Sequence, residues 1–280
     1  MRFGISTHLY HDRRLEREHL AQVAGYGFEA VELFATRSHF DYHDSAAVGQ
    51  LAQWLGETGL TLHGVHAPIM EKFGKGDVWG PALSTAVHDQ AKREAAVRES
   101  EAALQIAARI PFDVLVVHLG VPASKSGAGD NARGAAIRSA QEICRLAEPF
   151  GVRVAFEIIP NPLSDAASLA ALLERDIDAK HVGICFDFGH AHLMGDVVDA
   201  IETAAEHVIT THVHDNRRRD DDHLAPYLGT IDWEMALLAM QKIGYDGTYL
   251  FELAGNDGAA AVLEEARRAR QRFERALALR

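Results

Sequence analysis

The sequence is short of cysteine, of long apolar runs and of positive charge. Cys144 and Cys185 are its only cysteines and show neither metal-binding nor redox spacing, so we expect a reducing, cytoplasmic environment. No run approaches the 18 or more apolar residues of a membrane helix, and the opening MRFGISTHLY has no apolar stretch of signal-peptide length, so we expect no membrane partner. The formal net charge is −12. A nucleic acid partner is therefore disfavoured, because a net acidic chain gains nothing from counterion release.

Short apolar runs bounded by turn residues predict eight strands, with helical periodicity between them. The predicted strands cover residues 2–7, 29–34, 60–66, 113–119, 152–159, 182–187, 208–214 and 248–253. The clearest predicted helices cover residues 93–110 and 134–150. Glycines at positions 27, 59, 151 and 244 each follow a helical run and precede a strand, as expected of C-terminal helix stops.

A strand followed by a helix, eight times over, predicts an α/β fold of the (β/α)8 barrel type. A doubly wound open sheet is the alternative, but the chain has no Gly-rich phosphate-binding fingerprint. No linker, low-complexity tract or shift in composition divides the sequence. We therefore expect residues 1–280 to form a single barrel domain.

Six consecutive predicted strands end in a residue that can bind a metal. These residues are His66, His118, Glu157, Asp187, His212 and Glu252. Side chains alternate inward and outward along a barrel strand, and active sites lie at the C-terminal ends of the strands. Two positions earlier stand mostly small or apolar residues suited to an interior layer: Gly64, Val116, Ala155, Cys185, Thr210 and Leu250. The pattern predicts that six metal-capable groups meet above that layer, at one mouth.

Each of these residues also has a simpler interpretation. A single glutamate at a strand end is usually a surface or salt-bridge residue, and His63, of opposite parity to His66, is expected to be packed or partly exposed. His214 shares its parity with His212, and we favour His212 as the ligand. Six isolated buried ionisable groups would each carry a desolvation penalty, which a shared cation removes. Carboxylate and imidazole without thiolate suit Mn²⁺ or Zn²⁺, and also Co²⁺ or Mg²⁺.

Three runs of sequence carry a family resemblance: CFDFGHAHLMGD, THVHDNRRRDDDHLAPYLGTIDW and GYDGTYLFEL. Together they resemble the xylose-isomerase-like barrel superfamily, which includes sugar isomerases and epimerases, inosose-processing enzymes and endonuclease IV. The resemblance implies one divalent cation held by Glu157, Asp187, His212 and Glu252. By similarity to endonuclease IV it also implies extra ligands at His66, His118, His190, Asp221 and His223.

The resemblance implies two candidate activities. The first is isomerisation or epimerisation of a small sugar, sugar phosphate or inosose-type ketone through a metal-stabilised enediolate, with Glu157 and Glu252 moving the proton. The expected substrate-binding residues are His8, Glu32, His66, His118, His190, Arg217 and Arg218. The second is a phosphodiesterase like endonuclease IV, or another hydrolase or lyase using the same metal site. The only compact basic run, residues 217–219, is followed directly by three aspartates, which favours the first activity. A metal-binding barrel without catalysis is a third alternative.

Two further features concern the rim and the outside of the barrel. The Gly-rich segment 67–83, with Phe73 and Trp79, lies at the expected mouth and suits either a lid that excludes water or an ordinary surface loop. The apolar character of the outer helices would permit a homodimer.

Overall fold

The computed structural model describes residues 2–72, 80–255 and 258–278. The strands in these ranges are β1 Arg2–Ser6, β2 Ala30–Phe34, β3 Thr61–His66, β4 Val114–Val117, β5 Arg153–Glu157, β6 Val182–Asp187, β7 Val208–Val213 and β8 Thr248–Phe251. The α-helices are α1 Arg17–Gly25, α2 Ser45–Thr58, α3 Gln90–Leu104, α4 Arg133–Ala147, α5 Ala166–Arg175, α6 Phe188–Met194, α7 Val197–Ala204, α8 Trp233–Lys242 and α9 Ala259–Ala278. Within the described ranges, no helix combines the length and the apolar character needed to cross a bilayer.

The strands are parallel and form one closed barrel. Each strand pairs with the next along the chain, and β8 pairs with β1, with Phe3 opposite Tyr249. This arrangement confirms the predicted (β/α)8 fold, and every predicted strand boundary lies within two residues of the observed one. The four glycines predicted to stop helices all have positive φ, as at Gly59, where φ is 71° and α2 ends.

Two apolar layers hold the barrel together. The larger one lies between strands and helices and includes fully buried residues such as Ile5, Trp233 and Phe273. The smaller one fills the barrel interior with Val114, Val116, Ala155 and Cys185. The narrow space inside an eight-stranded barrel accommodates only such side chains. Val116, Ala155 and Cys185 thus occupy the interior layer expected beneath the polar strand ends.

His63 departs from simple alternation along its strand. The pairing of β2 with β3 shifts register so that Val31 lies opposite Leu62 but Glu32 lies opposite Gly64. His63 is buried, as expected, yet its Nε2 lies 3.0 Å from Thr210 Oγ1 on β7. Its side chain therefore contacts a strand on the far side of the barrel, which the parity argument did not predict because it assumed an unbroken register.

Aspartate begins most of the helices. In the described part of the chain six α-helices have an aspartate N-cap whose carboxylate accepts a backbone N–H: Asp44, Asp89, Asp165, Asp187, Asp196 and Asp232. An aspartate at this position satisfies an otherwise unpaired donor and opposes the helix dipole, at about 1 kcal/mol each. Part of the acidic excess of the sequence is therefore structural.

One buried carboxylate organises the loop between β7 and α8. Asp215 Oδ1 accepts from the backbone N–H groups of Asn216 and Ile231, and its Oδ2 accepts from Tyr227 N and Trp233 Nε1. The backbone of Gly229 packs against this carboxylate, since an added Cβ would lie 2.2 Å from Asp215 Oδ1. These bonds fold the loop back over the barrel mouth.

We expect Gly229→Ala to destabilise the protein, because the new methyl group must displace the Asp215 carboxylate or the Asn216 carbonyl. Overpacking of this kind costs about 1–3 kcal/mol, which would appear as a lowered midpoint of thermal unfolding. Gly56→Ala on α2 is the matched control, because its Cβ meets nothing within 4 Å. It should leave the midpoint unchanged or raise it, since alanine is the better helix former. Equal midpoints for the two variants would contradict the proposed close approach.

Candidate metal centre at the barrel mouth

Four of the predicted ligands converge at the C-terminal mouth. Glu157, Asp187 and His212 lie at the ends of β5, β6 and β7, and Glu252 directly follows β8. One ligand atom from each lies within 4.8 Å of the others, and all four residues are buried. We call these four residues the inner cluster. The shared C-terminal edge of the parallel strands brings them together from four distant segments of the sequence.

The inner cluster has the arrangement of a cation site. His212 Nδ1 lies 3.2 Å from Glu157 Oε1, 3.6 Å from Glu252 Oε2 and 3.8 Å from Asp187 Oδ2. Yet His212 Nδ1 and Glu157 Oε1 are both buried without a hydrogen-bond partner. Leaving such atoms unpaired is costly. A divalent cation among them satisfies both, so these residues fit the metal that the sequence predicts.

Glu32 holds the other side of the His212 ring. Its Oε2 lies 3.1 Å from His212 Nε2, and both side chains are buried. A carboxylate in this position accepts the Nε2 proton and leaves the Nδ1 lone pair directed at the inner cluster. Glu32 was predicted to bind substrate; the structure places it against His212, outside the set of residues that line the mouth cavity.

Two further histidines contact the Glu157 carboxylate. His66 Nε2 and His118 Nε2 lie 3.1 Å and 3.0 Å from Glu157 Oε2. The His66 ring is oriented by its Nδ1, which lies 2.8 Å from the Ala67 carbonyl. We call His66, His118 and Glu157 the side cluster, a second group with metal-ligand spacing. Both histidines were predicted as substrate-binding residues or extra ligands, and the structure brings them to the same carboxylate.

The remaining predicted ligands gather around Asp221. His190 Nε2 and His223 Nε2 lie 3.1 Å and 3.3 Å from Asp221 Oδ2. His214 joins them, since its ring stacks on His223 with centroids 4.0 Å apart. We call these four residues, His190, His214, Asp221 and His223, the outer cluster. His212, the histidine favoured as the ligand, lies in the inner cluster, and His214, of the same parity, lies in the outer cluster.

A cavity of about 370 Å³ opens above these clusters. One wall is apolar, with Phe34, Met70 and Val121, and the floor carries Glu157 and Glu252. Asp187 and His212 do not line the cavity and lie behind the two glutamates. The apolar wall was not predicted, because the strand-end pattern concerns residues that can bind a metal, whereas Phe34, Met70 and Val121 are apolar.

Of the other predicted substrate-binding residues, one lines the cavity and two do not. His8 lines the cavity; its ring stacks on His11 and contacts the His223 ring at a tilt, with centroids 4.9 Å apart. Arg217 and Arg218 do not line it, because their guanidinium groups donate to the carbonyls of Leu228 and Gly195.

Segment 67–83, predicted as either a lid or a surface loop, borders the cavity at both ends. Ile69 and Met70 line it on one side of the segment, and Gly80 and Ala82 on the other. Phe73 and Trp79 lie outside the described residues.

Charges in the mouth stabilise one another. Burial alone would raise the pKa of Glu157, but His212 and His118 hold this pKa well below its usual range. Burial alone would lower the pKa of His223, but the Asp221 carboxylate raises it to about 9. The Glu157 carboxylate is therefore ionised at neutral pH, and a cation that binds here would replace protons on the imidazoles.

We expect Glu32→Gln to weaken divalent metal binding about 10- to 100-fold, because the loss of a carboxylate partner lowers the basicity of a ligating histidine. Equilibrium dialysis of the chelated protein against Mn²⁺ or Zn²⁺ measures the affinity. Glu29→Gln is the matched control: Glu29 lies three residues earlier, exposed directly before the same strand. An affinity unchanged by Glu32→Gln would mean that Glu32 does not orient His212.

Two sequence relatives match most of the chain and less than half of it, respectively. An uncharacterised protein of Methanocaldococcus jannaschii is 27% identical over 259 residues, which span 90% of this chain and 83% of that one. An inosose isomerase of Bacillus licheniformis is 26% identical over 137 residues, which span 44% of this chain and 48% of that one.

Solved structures share the fold over its full length. A D-tagatose 3-epimerase-like protein superposes with a TM-score of 0.80 at 24% identity, covering 100% of this chain and 98% of that one. The IolI protein with a bound zinc atom superposes with a TM-score of 0.77 at 16% identity, covering 98% of each chain.

The family model of the xylose isomerase-like TIM barrel matches residues 20–274. That match spans seven of the eight strands and reaches into α9. The chain belongs to the xylose isomerase-like TIM barrel family.

Proposed function

We propose that the protein is a divalent-metal-dependent isomerase or epimerase of a small sugar, sugar phosphate or inosose-type ketone. The observation that carries this proposal is the division of the inner cluster. Glu157 and Glu252 face the cavity, whereas Asp187 and His212 lie behind them. Glu157 and Glu252 can therefore reach a substrate, while Asp187 and His212 serve only as ligands. Two such carboxylates suit an enzyme that removes a proton at one position of the substrate and returns a proton at another.

The two glutamates approach the cavity from different strands. Glu157 ends β5 and Glu252 follows β8, so the two carboxylates come from positions three strands apart in the barrel. One carboxylate removes the proton from the carbon beside the substrate carbonyl, and the other returns a proton at the neighbouring carbon or the opposite face. General acid–base catalysis by a positioned carboxylate contributes about 10²- to 10⁴-fold. A cation bound in the inner cluster supplies Lewis-acid stabilisation of the negative charge that proton removal creates.

The shape of the cavity supports a small substrate. Its volume of about 370 Å³ is near the lower end of the ~300–1,000 Å³ typical of ligand sites. His66 and His190, which line it, have both ring nitrogens bonded within the protein, so either ring would have to release a partner before it could donate to a substrate hydroxyl group. Arg217 and Arg218 can reach a substrate hydroxyl or phosphate only after releasing the carbonyls that they now hold.

The relatives favour the same class of substrate. An inosose isomerase is among the sequence relatives, and a D-tagatose 3-epimerase-like protein and a D-psicose 3-epimerase are among the structures that share the fold. The zinc in the IolI structure supports a divalent metal. Mn²⁺ and Zn²⁺ are the preferred candidates, because the inner cluster combines three carboxylates with one imidazole.

One observation favours a second candidate, a metal-dependent phosphodiesterase like endonuclease IV. The side and outer clusters bring His66, His118, His190, Asp221 and His223 next to the inner cluster. Several adjacent cations could generate a hydroxide and stabilise a leaving oxygen. Nucleic acid would have to approach through the segment with Asp220, Asp221 and Asp222, and the net charge of the chain is −12. We therefore rank this activity second.

The test is solvent-proton exchange on a panel of ketoses, inososes and their phosphates. The metal-loaded protein in D₂O should exchange the hydrogen next to the carbonyl of one class and form its epimer or isomer, as followed by proton NMR. We expect Glu157→Gln and Glu252→Gln each to lower this rate by about 10²-fold or more. Glu202→Gln, exposed on α7, is the control and should leave the rate unchanged.

Two outcomes would contradict the proposal. If proton exchange persists in both Glu157→Gln and Glu252→Gln, these two glutamates do not transfer the proton. Cleavage of an abasic-site DNA duplex by the metal-loaded protein, with no exchange on the panel, would favour the phosphodiesterase.

A further inference from the structure

The exposed large apolar side chains of the described residues lie on one side of the barrel. There are three, Met194, Leu228 and Met235, with exposed fractions of 38%, 46% and 46%. Met194 ends α6, Leu228 lies on the loop between β7 and α8, and Met235 lies in the first turn of α8. α7 begins three residues after Met194 and packs against α8. Single exposed apolar residues are normal on a protein surface, but a group of them marks a site of interaction.

A charged turn lies next to these side chains. It covers residues 217–222 and consists of three arginines followed by three aspartates. Arg217 Nη2 donates to the Leu228 carbonyl at 3.2 Å, and Arg218 Nη2 donates to the carbonyl of the residue after Met194 at 3.0 Å. The charged turn is therefore tied to the exposed apolar residues on two sides. We call the charged turn and the three apolar side chains the rim face.

Most charges of the turn have no partner of opposite sign. In the ranges that the structure describes, none of its three arginines forms an ion pair, and of its aspartates only Asp221 does, with histidines of the outer cluster. The backbone of the turn is nevertheless fixed, because Asp222 Oδ2 accepts from Arg217 N and Asn216 Oδ1 accepts from Arg218 N. A turn that is already ordered loses little conformational entropy when a partner binds to it.

The order of the charges makes the turn complementary to a second copy of itself. If two copies lie antiparallel, with a two-fold axis between Arg219 and Asp220, every arginine faces an aspartate of the other copy. The central contact, Arg219 with the partner's Asp220, is then made twice. A two-fold interface requires such a self-complementary patch. A partner of one charge sign would instead place like charges opposite half of the turn.

We propose that the rim face is the interface of a symmetric dimer of this chain. Dimerisation removes Met194, Leu228 and Met235 from water and pairs the charges of the turn. Methionine and arginine are both enriched at protein interfaces. The loop between β7 and α8 also carries His223, which lines the mouth cavity, so each copy would cover the loop that forms one cavity wall of the other. This proposal does not depend on the proton transfer assigned to the inner cluster.

Charge reversal at the axis tests the proposal. The metal-loaded protein is studied by sedimentation velocity over a series of concentrations, and the unchanged chain should form a dimer. We expect Arg219→Glu and Asp220→Arg each to raise the dissociation constant of the dimer about tenfold or more, because like charges then meet twice at the axis. Leu228→Asp should favour the monomer as well, because it places a charge among the apolar side chains. Arg138→Glu, exposed on α4, is the matched control and should dimerise like the unchanged chain.

A mixture of the two charge variants distinguishes lost pairing from misfolding. The Arg219→Glu chain presents two acidic groups at the axis and the Asp220→Arg chain presents two basic groups, so an equimolar mixture should form a heterodimer about as stable as the unchanged dimer. An unchanged chain that stays monomeric at every concentration would overturn the proposal and leave the rim face to a different partner. A dimer that persists in both charge variants, or a mixture that does not associate, would also overturn it, because the contact would then lie elsewhere.

Discussion

The buried charge of Glu157 is the constraint around which the barrel mouth is arranged. The carboxylate is fully buried, and burial of an unpaired charge costs several kcal/mol. His66 and His118 satisfy one oxygen, and the other faces His212 without a hydrogen bond. The other carboxylates at the mouth are arranged alike: they lie beside imidazoles, and most of these imidazoles are held by an acceptor on the far side of the ring.

The rest of the barrel supports that arrangement in layers. Small residues of the interior, Val116, Ala155 and Cys185, lie beneath the ligands and fill the barrel. Glu32 and Asp187 lie beside the ligand histidines. Each carboxylate accepts the Nε2 proton of one ring, Glu32 that of His212 and Asp187 that of His214. The apolar wall lies above. Substrate thus meets reactive glutamates at the floor, while the residues that orient the ligands stay out of reach.

Much of this mouth follows from the sequence because closed parallel barrels obey simple rules. Strand ends meet at one face, so the parity of Glu157, Asp187 and His212 was enough to predict their convergence. His63 was harder to place, because a register shift between two strands leaves no mark in the sequence. The contact between Glu32 and His212 joins two strands that are three positions apart in the barrel, and pattern reasoning has no measure of distance across the interior. The stacking of His214 on His223 depends on ring orientation, which only coordinates provide.

Asp187 shows how tightly one position can be specified. Its Oδ1 accepts from the backbone N–H of His190 and so begins α6, while its oxygens also bond His214 and face the inner cluster. Asparagine or serine there would keep the helix cap but remove the anionic ligand. Glutamate would keep the charge but move it by one methylene from the cap. The helix cap and the anionic ligand are unrelated requirements, and together they restrict this position to aspartate. Variation in substrate preference must therefore arise on the loops that form the cavity walls.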